Sequence, residues 1–167
     1  IIKAWLRERK AKRVVIIGGG FIGLEMSEAL HEVGISTTII HKHSLPANRW
    51  SKELSSVMLE ELQSHSVEFI GNAQAKAIEK SSGDSLKVIT DAGEWQGDMV
   101  LLAVGVRPNA ALGKSAGLTI GKTGAIAVNF AQQTSVENIY AVGDCCESWN
   151  RVSRRWVNIP LGDIANK

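Results

Sequence analysis

The sequence predicts an α/β fold built on a parallel sheet, and three observations lead there. Short uninterrupted runs of β-branched residues alternate with amphipathic helical stretches, the pattern of strands buried on both faces between crossover helices. The first strand runs straight into a glycine-rich turn that opens a helix. The alternation then breaks into three consecutive short strands separated by turn residues, a meander that leads back into a buried strand.

Each element has its own warrant. Residues 2–11 place Ile2, Trp5 and Leu6 at helical spacing with charges between them. Arg13 to Ile17 is a β-branched run and reads as a buried parallel strand. Gly18-Gly-Gly20 follows, then a helix over 21–33 that Gly34 stops. A second strand spans 36–40. A polar loop with Pro46 leads to a helix over 52–64, whose apolar stripe is Leu54, Val57, Met58, Leu59 and Leu62. A strand at 67–70 completes β-α-β-α-β, half of a doubly wound sheet. The meander strands fall at 73–79, 85–90 and 94–96, separated by Ser81-Ser-Gly-Asp84 and Asp91-Ala-Gly93. Residues 99–104 form the buried return strand. Beyond Gly105 the reading is loop, a short helix at 110–116, and strands at 125–128 and 138–142 that belong to a neighbouring domain.

The composition is that of an ordinary globular chain, 44% hydrophobic and 22% charged. A net charge of +2 gives no case for nucleic acid or an acidic membrane as partner. The basic cluster Lys3, Arg7, Arg9, Lys10, Lys12 and Arg13 reads as a solvated helix face. The longest apolar run, 14–24, is too short to span a bilayer and holds four glycines. No secretory signal is apparent. Adjacent Cys145 and Cys146 cannot staple a loop, so both are expected reduced, in a cytoplasmic setting. The chain opens at Ile1 inside a helical pattern and stops at Lys167 in what reads as the start of another helix, so both ends read as cut from a longer polypeptide.

Gly18, Gly20 and Gly23 form G-x-G-x-x-G between a strand and a helix within a βαβ unit. Gly18 allows the tight turn, Gly20 lets backbone approach a pyrophosphate, and Gly23 lets the helix pack closely on the strand. The free N–H groups at the helix start, those of Phe21 and Ile22 included, face the anion. Dinucleotide binding on a Rossmann-like domain is the expectation. At the tip of the second strand, where an acid usually accepts from the adenosine ribose, stand His41, Lys42 and His43. These suit a 2′-phosphate, so NADP(H) is expected to be favoured over NAD(H). NAD use, indifference between the two, or side chains merely solvated at a loop are the alternatives. With His41 titrating near its reference value of about 6.5, the preference would strengthen from about pH 8 to 6.

Three blocks carry a family resemblance across nearly the whole chain: Val15-Ile-Ile-Gly-Gly-Gly-Phe-Ile-Gly-Leu-Glu25, Leu101-Leu-Ala-Val-Gly-Val-Arg-Pro-Asn109 and Thr134-Ser-Val-Glu-Asn-Ile-Tyr-Ala-Val-Gly-Asp144. They resemble the FAD-dependent pyridine nucleotide–disulfide oxidoreductases. Ile159-Pro-Leu-Gly162 and Ala165-Asn-Lys167 are similar to the coenzyme A-disulfide reductase and NADH oxidase branch. The resemblance implies a leading helix and linker at 1–12, an NAD(P)-binding domain at 13–106 and a partial FAD-domain segment at 107–167. The redox cysteine and the dimerisation domain would lie outside the chain. It implies that Glu25 sits beside the nicotinamide, although an acid favoured by the helix dipole explains it nearly as well. It further implies that the dinucleotide passes over Gly105 and that Asp144, beside Gly143, binds a ribitol hydroxyl of FAD. His41 departs from the acid usual in NAD-using members.

The resemblance implies a parent flavoenzyme that passes hydride from NAD(P)H to FAD and then to a disulfide such as coenzyme A disulfide. An electron-transfer reductase without a redox cysteine, or a nucleotide-binding module without turnover, are the alternatives. The expected partners are a pyridine nucleotide, the remainder of the FAD domain and a second copy in the parent homodimer. No residue stands out as a catalytic acid, base or nucleophile, and no metal set is evident. Cys145 and Cys146 lack C-x-x-C spacing and read as structural.

Overall fold

The computed structural model describes residues 2–160. The element order is α1 (Ile2–Glu8), β1 (Arg13–Ile17), α2 (Phe21–His31), β2 (Ser36–Ile40), α3 (Lys52–Ser64), β3 (Glu68–Ile70), β4 (Ala75–Lys80), β5 (Leu86–Thr90), β6 (Glu94–Gly97), β7 (Met99–Leu102), α4 (Ala111–Ser115), a 3₁₀ turn (Gly143–Cys145), β8 (Ser148–Asn150) and β9 (Arg155–Val157). The helix expected at the end of the chain, with Gly162 and the Ala165-Asn-Lys167 block, lies outside the described residues. The chain divides into two compact units, Ile1–Gly105 and Val106–Lys167.

In the first unit a parallel sheet runs in the order β3-β2-β1-β7. β1 lies between β2 and β7, and its alternation serves two cores. Val14 and Ile16 pack with Leu6, Leu30, Ile39, Leu62 and Val67. Val15 and Ile17 pack with Ile40, Ala73 and Val88 on the other face. A strand whose successive side chains are all buried needs a layer on each side. The antiparallel meander β4-β5-β6 supplies the second layer through Val88 of β5 and Trp95 of β6. Asp98 ties its exit back to the start of β1: Oδ2 accepts from the Lys12 and Arg13 amides at 2.8 and 3.0 Å.

Two expectations are corrected. Helix α3 buries only part of the stripe read from hydropathy: Leu62 is buried and Met58 and Leu59 are half-buried. Leu54 and Val57 are 57% and 62% exposed, and the inward face carries Ser55 and Leu62. Ser51 caps the helix at the Leu54 amide, and the buried Ser55 hydroxyl donates to Ala47 O at 3.3 Å. These polar bonds go with a helix turned so that a serine lies inside.

The strands expected at 125–128 and 138–142 shrink to single bridges: Ile126 with Ile120 and Cys146, and Tyr140 with Gln133. Their amides bond to backbone carbonyls of scattered loops: Ile126 N to Cys145 O, Ala127 N to Thr119 O and Ala141 N to Gln132 O. Asn129 Oδ1 accepts from the Ala131 and Gln133 amides, and Thr134 Oγ1 from Val136 N, local bonds that compete with ladders. The second unit nevertheless has its own core of Ala110, Leu118, Ile126, Val128, Ala141 and Cys146. Its buried Glu147 accepts from the Thr123 amide and hydroxyl and closes the turn before Ala125.

Candidate nucleotide site

The carboxyl ends of β1, β2 and β7 converge on the glycine loop, the place where open α/β sheets take ligands. Each glycine meets a different steric condition. Gly18 has φ +115°, and a Cβ there would lie 2.2 Å from Ala103 O, just beyond β7. A Cβ on Gly23 would lie 1.9 Å from Gly18 O, so loop and helix touch backbone to backbone. A Cβ on Gly20 would meet nothing within 4 Å. Two of the three glycines are thus required by the protein's own packing, and the third borders open space.

Gly20 is also the N-cap of α2 and makes no side-chain cap bond. The Gly18 amide donates to Ile40 O at 2.8 Å, and Leu24 N donates to Gly20 O. Among the described residues no acceptor engages the Gly20, Phe21, Ile22 or Gly23 amides. Unpaired N–H groups at the positive end of a helix, beside an open surface, form an anion cradle. Phe21 and Ile22 are about half exposed at its rim, and Glu25 is exposed one turn further on.

Gly19 is held from both sides by the loop after β2. Its carbonyl accepts from Ala47 N at 2.7 Å, and its amide donates to His41 Nδ1 at 3.0 Å. The expectation of an exposed imidazole titrating near its ordinary value is therefore overturned. His41 is 7% exposed. Desolvation first, then the neighbouring His43, holds its pKa below 6.5; Asn48 beside the ring pulls the other way, and Lys42 adds a small push downward. The small glycine loop leaves room beneath it, and the ring fills that room: Cγ of His41 lies 3.2 Å from where a Gly19 Cβ would be. Lys42 and His43 are exposed, as expected of the loop.

Sequence reasoning passed over the far end of the same loop. Ala47 is buried with φ +46°, a conformation rare outside glycine, and it anchors Asn48, Arg49 and Trp50 next to Gly19. Arg49 is exposed. Trp50 meets Phe21 edge-to-face at 5.3 Å. The available signal was a basic and an aromatic residue shortly after buried Pro46. Gly105, at φ +112° with open space around it, ends the first unit.

Gly143 and Asp144 belong to the second unit. Gly143 is buried at φ +80° in the 3₁₀ turn, and the Asp144 side chain is exposed while its carbonyl accepts from Asn158 Nδ2 at 2.8 Å. The Cys145 thiol donates to Val142 O and the Cys146 thiol to Gly143 O, both at 3.4 Å. No group of three or more His, Cys, Asp or Glu among the described residues could hold a metal ion. No described helix is long and apolar enough to cross a membrane.

Comparison with known proteins agrees with this geometry. The chain is 40% identical to the NAD(P)H coenzyme A polysulfide/persulfide reductase of Pyrococcus horikoshii, over 99% of the chain and 37% of that protein. The structure of reduced CoADR-RHD from Bacillus anthracis superimposes with a TM-score of 0.92 at 38% identity, covering 99% of this chain and 29% of that one. The water-forming NADH oxidase of Lactobacillus brevis, solved with NADH bound, gives 0.88 at 26% identity, covering 98% and 36%. The chain thus spans just over a third of the Pyrococcus relative's length. The family model for pyridine nucleotide-disulphide oxidoreductases matches residues 2–159. Loop, meander and strand order all lie within that match, and the chain belongs to the pyridine nucleotide-disulphide oxidoreductase family.

Proposed function

We propose that residues 13–106 bind NAD(P)H for a flavoprotein oxidoreductase, and that 107–167 contribute part of its FAD site. The observation that carries this is the anion cradle: four unengaged amides from Gly20 to Gly23 beside the open face of Gly20. The pyrophosphate takes those amides, Phe21 and Ile22 flank the dinucleotide, and Glu25 and Gly105 lie along its path. Bound FAD supplies the redox chemistry by accepting hydride from the nicotinamide. On the protein's side, Gly143 in its positive-φ turn leaves room for close approach, and exposed Asp144 offers a carboxylate to a ribitol hydroxyl. The electrons go on to a disulfide such as coenzyme A disulfide. The parent works as a cytoplasmic homodimer.

NADP(H) is favoured over NAD(H). The support is the absence of an acid at the end of β2, with Lys42 and Arg49 both exposed on the loop that clasps Gly19. Charged hydrogen bonds contribute about 1.5–3 kcal/mol each, so one such contact gives on the order of ten- to a hundredfold preference. Titrating NADPH and NADH against the chain and a Lys42→Ala/Arg49→Ala variant tests this. NADPH should bind more tightly, lose about tenfold or more in the variant, and weaken more steeply with salt. NADH binding as tight as NADPH in the unmodified chain would refute the preference.

A further inference from the structure

At the end of the parallel sheet away from the glycine loop, α2 and α3 finish side by side, each closed by the same pair of backbone bonds. Ile35 N donates to Leu30 O and Gly34 N to His31 O at the end of α2; Val67 N donates to Leu62 O and Ser66 N to Gln63 O at the end of α3. Gly34 and Ser66 take the positive φ that this closure requires, +74° and +57°. The two ends bring two imidazoles together. His31 is the last residue of α2 and His65 the C-cap of α3; their ring centroids are 5.5 Å apart and their planes cross at 88°. Both are exposed, and both border a cavity of about 300 Å³ that Ser36 and Ser66 also line. The negative ends of two helices favour a positive charge between them.

The proton of a neutral His65 has one place to sit. Its Nδ1 lies 3.1 Å from Glu61 O and 3.4 Å from the Glu61 carboxylate. It lies 3.0 Å from the Ser64 hydroxyl, whose own proton goes to Glu61 O at 2.8 Å. All three neighbours are acceptors, so Nδ1 is the protonated nitrogen and Nε2 keeps its lone pair. A carbonyl or carboxylate that holds the far N–H is the usual means of orienting an imidazole as a metal ligand.

We infer that His31 and His65 form a two-imidazole site for a divalent first-row metal ion of the zinc class, with water in the remaining positions. Such ions take imidazole readily, while magnesium and calcium take oxygen. Zinc–nitrogen bonds of about 2.0–2.1 Å at a tetrahedral angle set two ring centroids about 5 Å apart, close to the separation between His31 and His65. The cavity beside the rings gives the waters room. Glu61 is not a ligand; its carbonyl and carboxylate orient His65. The ion ties the end of α2 to the end of α3 and leaves the glycine loop, at the other end of α2, untouched. The site stands independently of the nucleotide-binding reading.

The test is long-range proton–nitrogen NMR on the histidine-labelled chain at about pH 7.5, a pH above the ordinary histidine value, titrated with zinc chloride and separately with magnesium chloride. Zinc should move the ring signals of His31 and His65 along one shared saturation curve, with Nδ1 of His65 protonated throughout. Magnesium should move neither. The pair His41 and His43, with centroids 5.3 Å apart, supplies an internal control. His41 is buried and its Nδ1 accepts from the Gly19 amide, so its signals should stay in place. His31→Gln should abolish the zinc response of His65, and His65→Gln that of His31. In thermal unfolding, zinc should raise the Tm of the unmodified chain, and either variant should lose that rise. No response to zinc, a response of one histidine alone, two curves with different midpoints, equal shifts with magnesium, or a proton on Nε2 of metal-free His65 would each overturn the inference. Both variants change exposed side chains; should one still fail to fold, the shared curve of the unmodified chain decides.

Discussion

Gly20→Ala separates ligand binding from folding more cleanly than any other change in the loop. Gly20 has φ −88° and ψ −173°, which alanine adopts without strain, and its Cβ would meet no protein atom within 4 Å. Replacing glycine at such a position stabilises a protein by about 0.4–1 kcal/mol through the unfolded chain. For a chain of this size that is a rise of about 1–4 °C in Tm. The added methyl projects into the space beside the Gly20–Gly23 amides, where the pyrophosphate must come within hydrogen-bonding distance. Losing one charge-assisted bond of about 1.5–3 kcal/mol weakens binding roughly ten- to a hundredfold. Thermal unfolding and fluorescence titration with NADPH read the two effects independently. Unchanged affinity would show that the coenzyme does not cross Gly20. A Tm lowered by several degrees would show that the open space is filled by the protein itself.

Three other changes probe the surrounding fold. Gly23→Ala should behave oppositely to Gly20→Ala: its Cβ would sit 1.9 Å from Gly18 O, and thermal unfolding should show a loss at or above the upper end of the usual overpacking cost of about 1–3 kcal/mol. Asp98 has its pKa lowered, first by the Lys12 amide bond. Its contribution is therefore present above its ordinary value of 3.8 and lost as pH falls through the depressed one. Asp98→Asn should cost about 1 kcal/mol at neutral pH and give a shallower acid limb in urea unfolding, and an unchanged limb would count against the clamp. On α3, Leu54→Lys should alter stability by less than about 0.5 kcal/mol. Leu62→Ala should cost about 2–5 kcal/mol. Equal losses in denaturant titrations would restore the helix face read from hydropathy.

What was legible in the sequence is what local chemistry dictates. β-branched runs buried on both faces, glycines punctuating a strand-to-helix turn, and turn residues between meander strands each leave a short-range mark, and the parallel sheet and glycine loop follow from them. The duties of Gly18 and Gly23 were also readable, because each is a requirement on backbone space. What lay beyond the sequence depends on contacts between distant residues. The periodicity of α3 could not show that Ser55 rather than Leu54 faces inward, since a hydroxyl bond to Ala47, eight residues upstream, lies behind that choice. Ile126 and Tyr140 sit in strand-like runs, but a strand exists only when one neighbouring backbone completes its ladder, and here the partners are scattered: Cys145 and Thr119 for the first run, Gln132 for the second. His41 shows the division most clearly. Its place at the end of β2 was visible in the sequence. Its charge state was not, because a histidine's pKa belongs to its surroundings, and only the folded chain puts the Gly19 amide against Nδ1 and takes the water away.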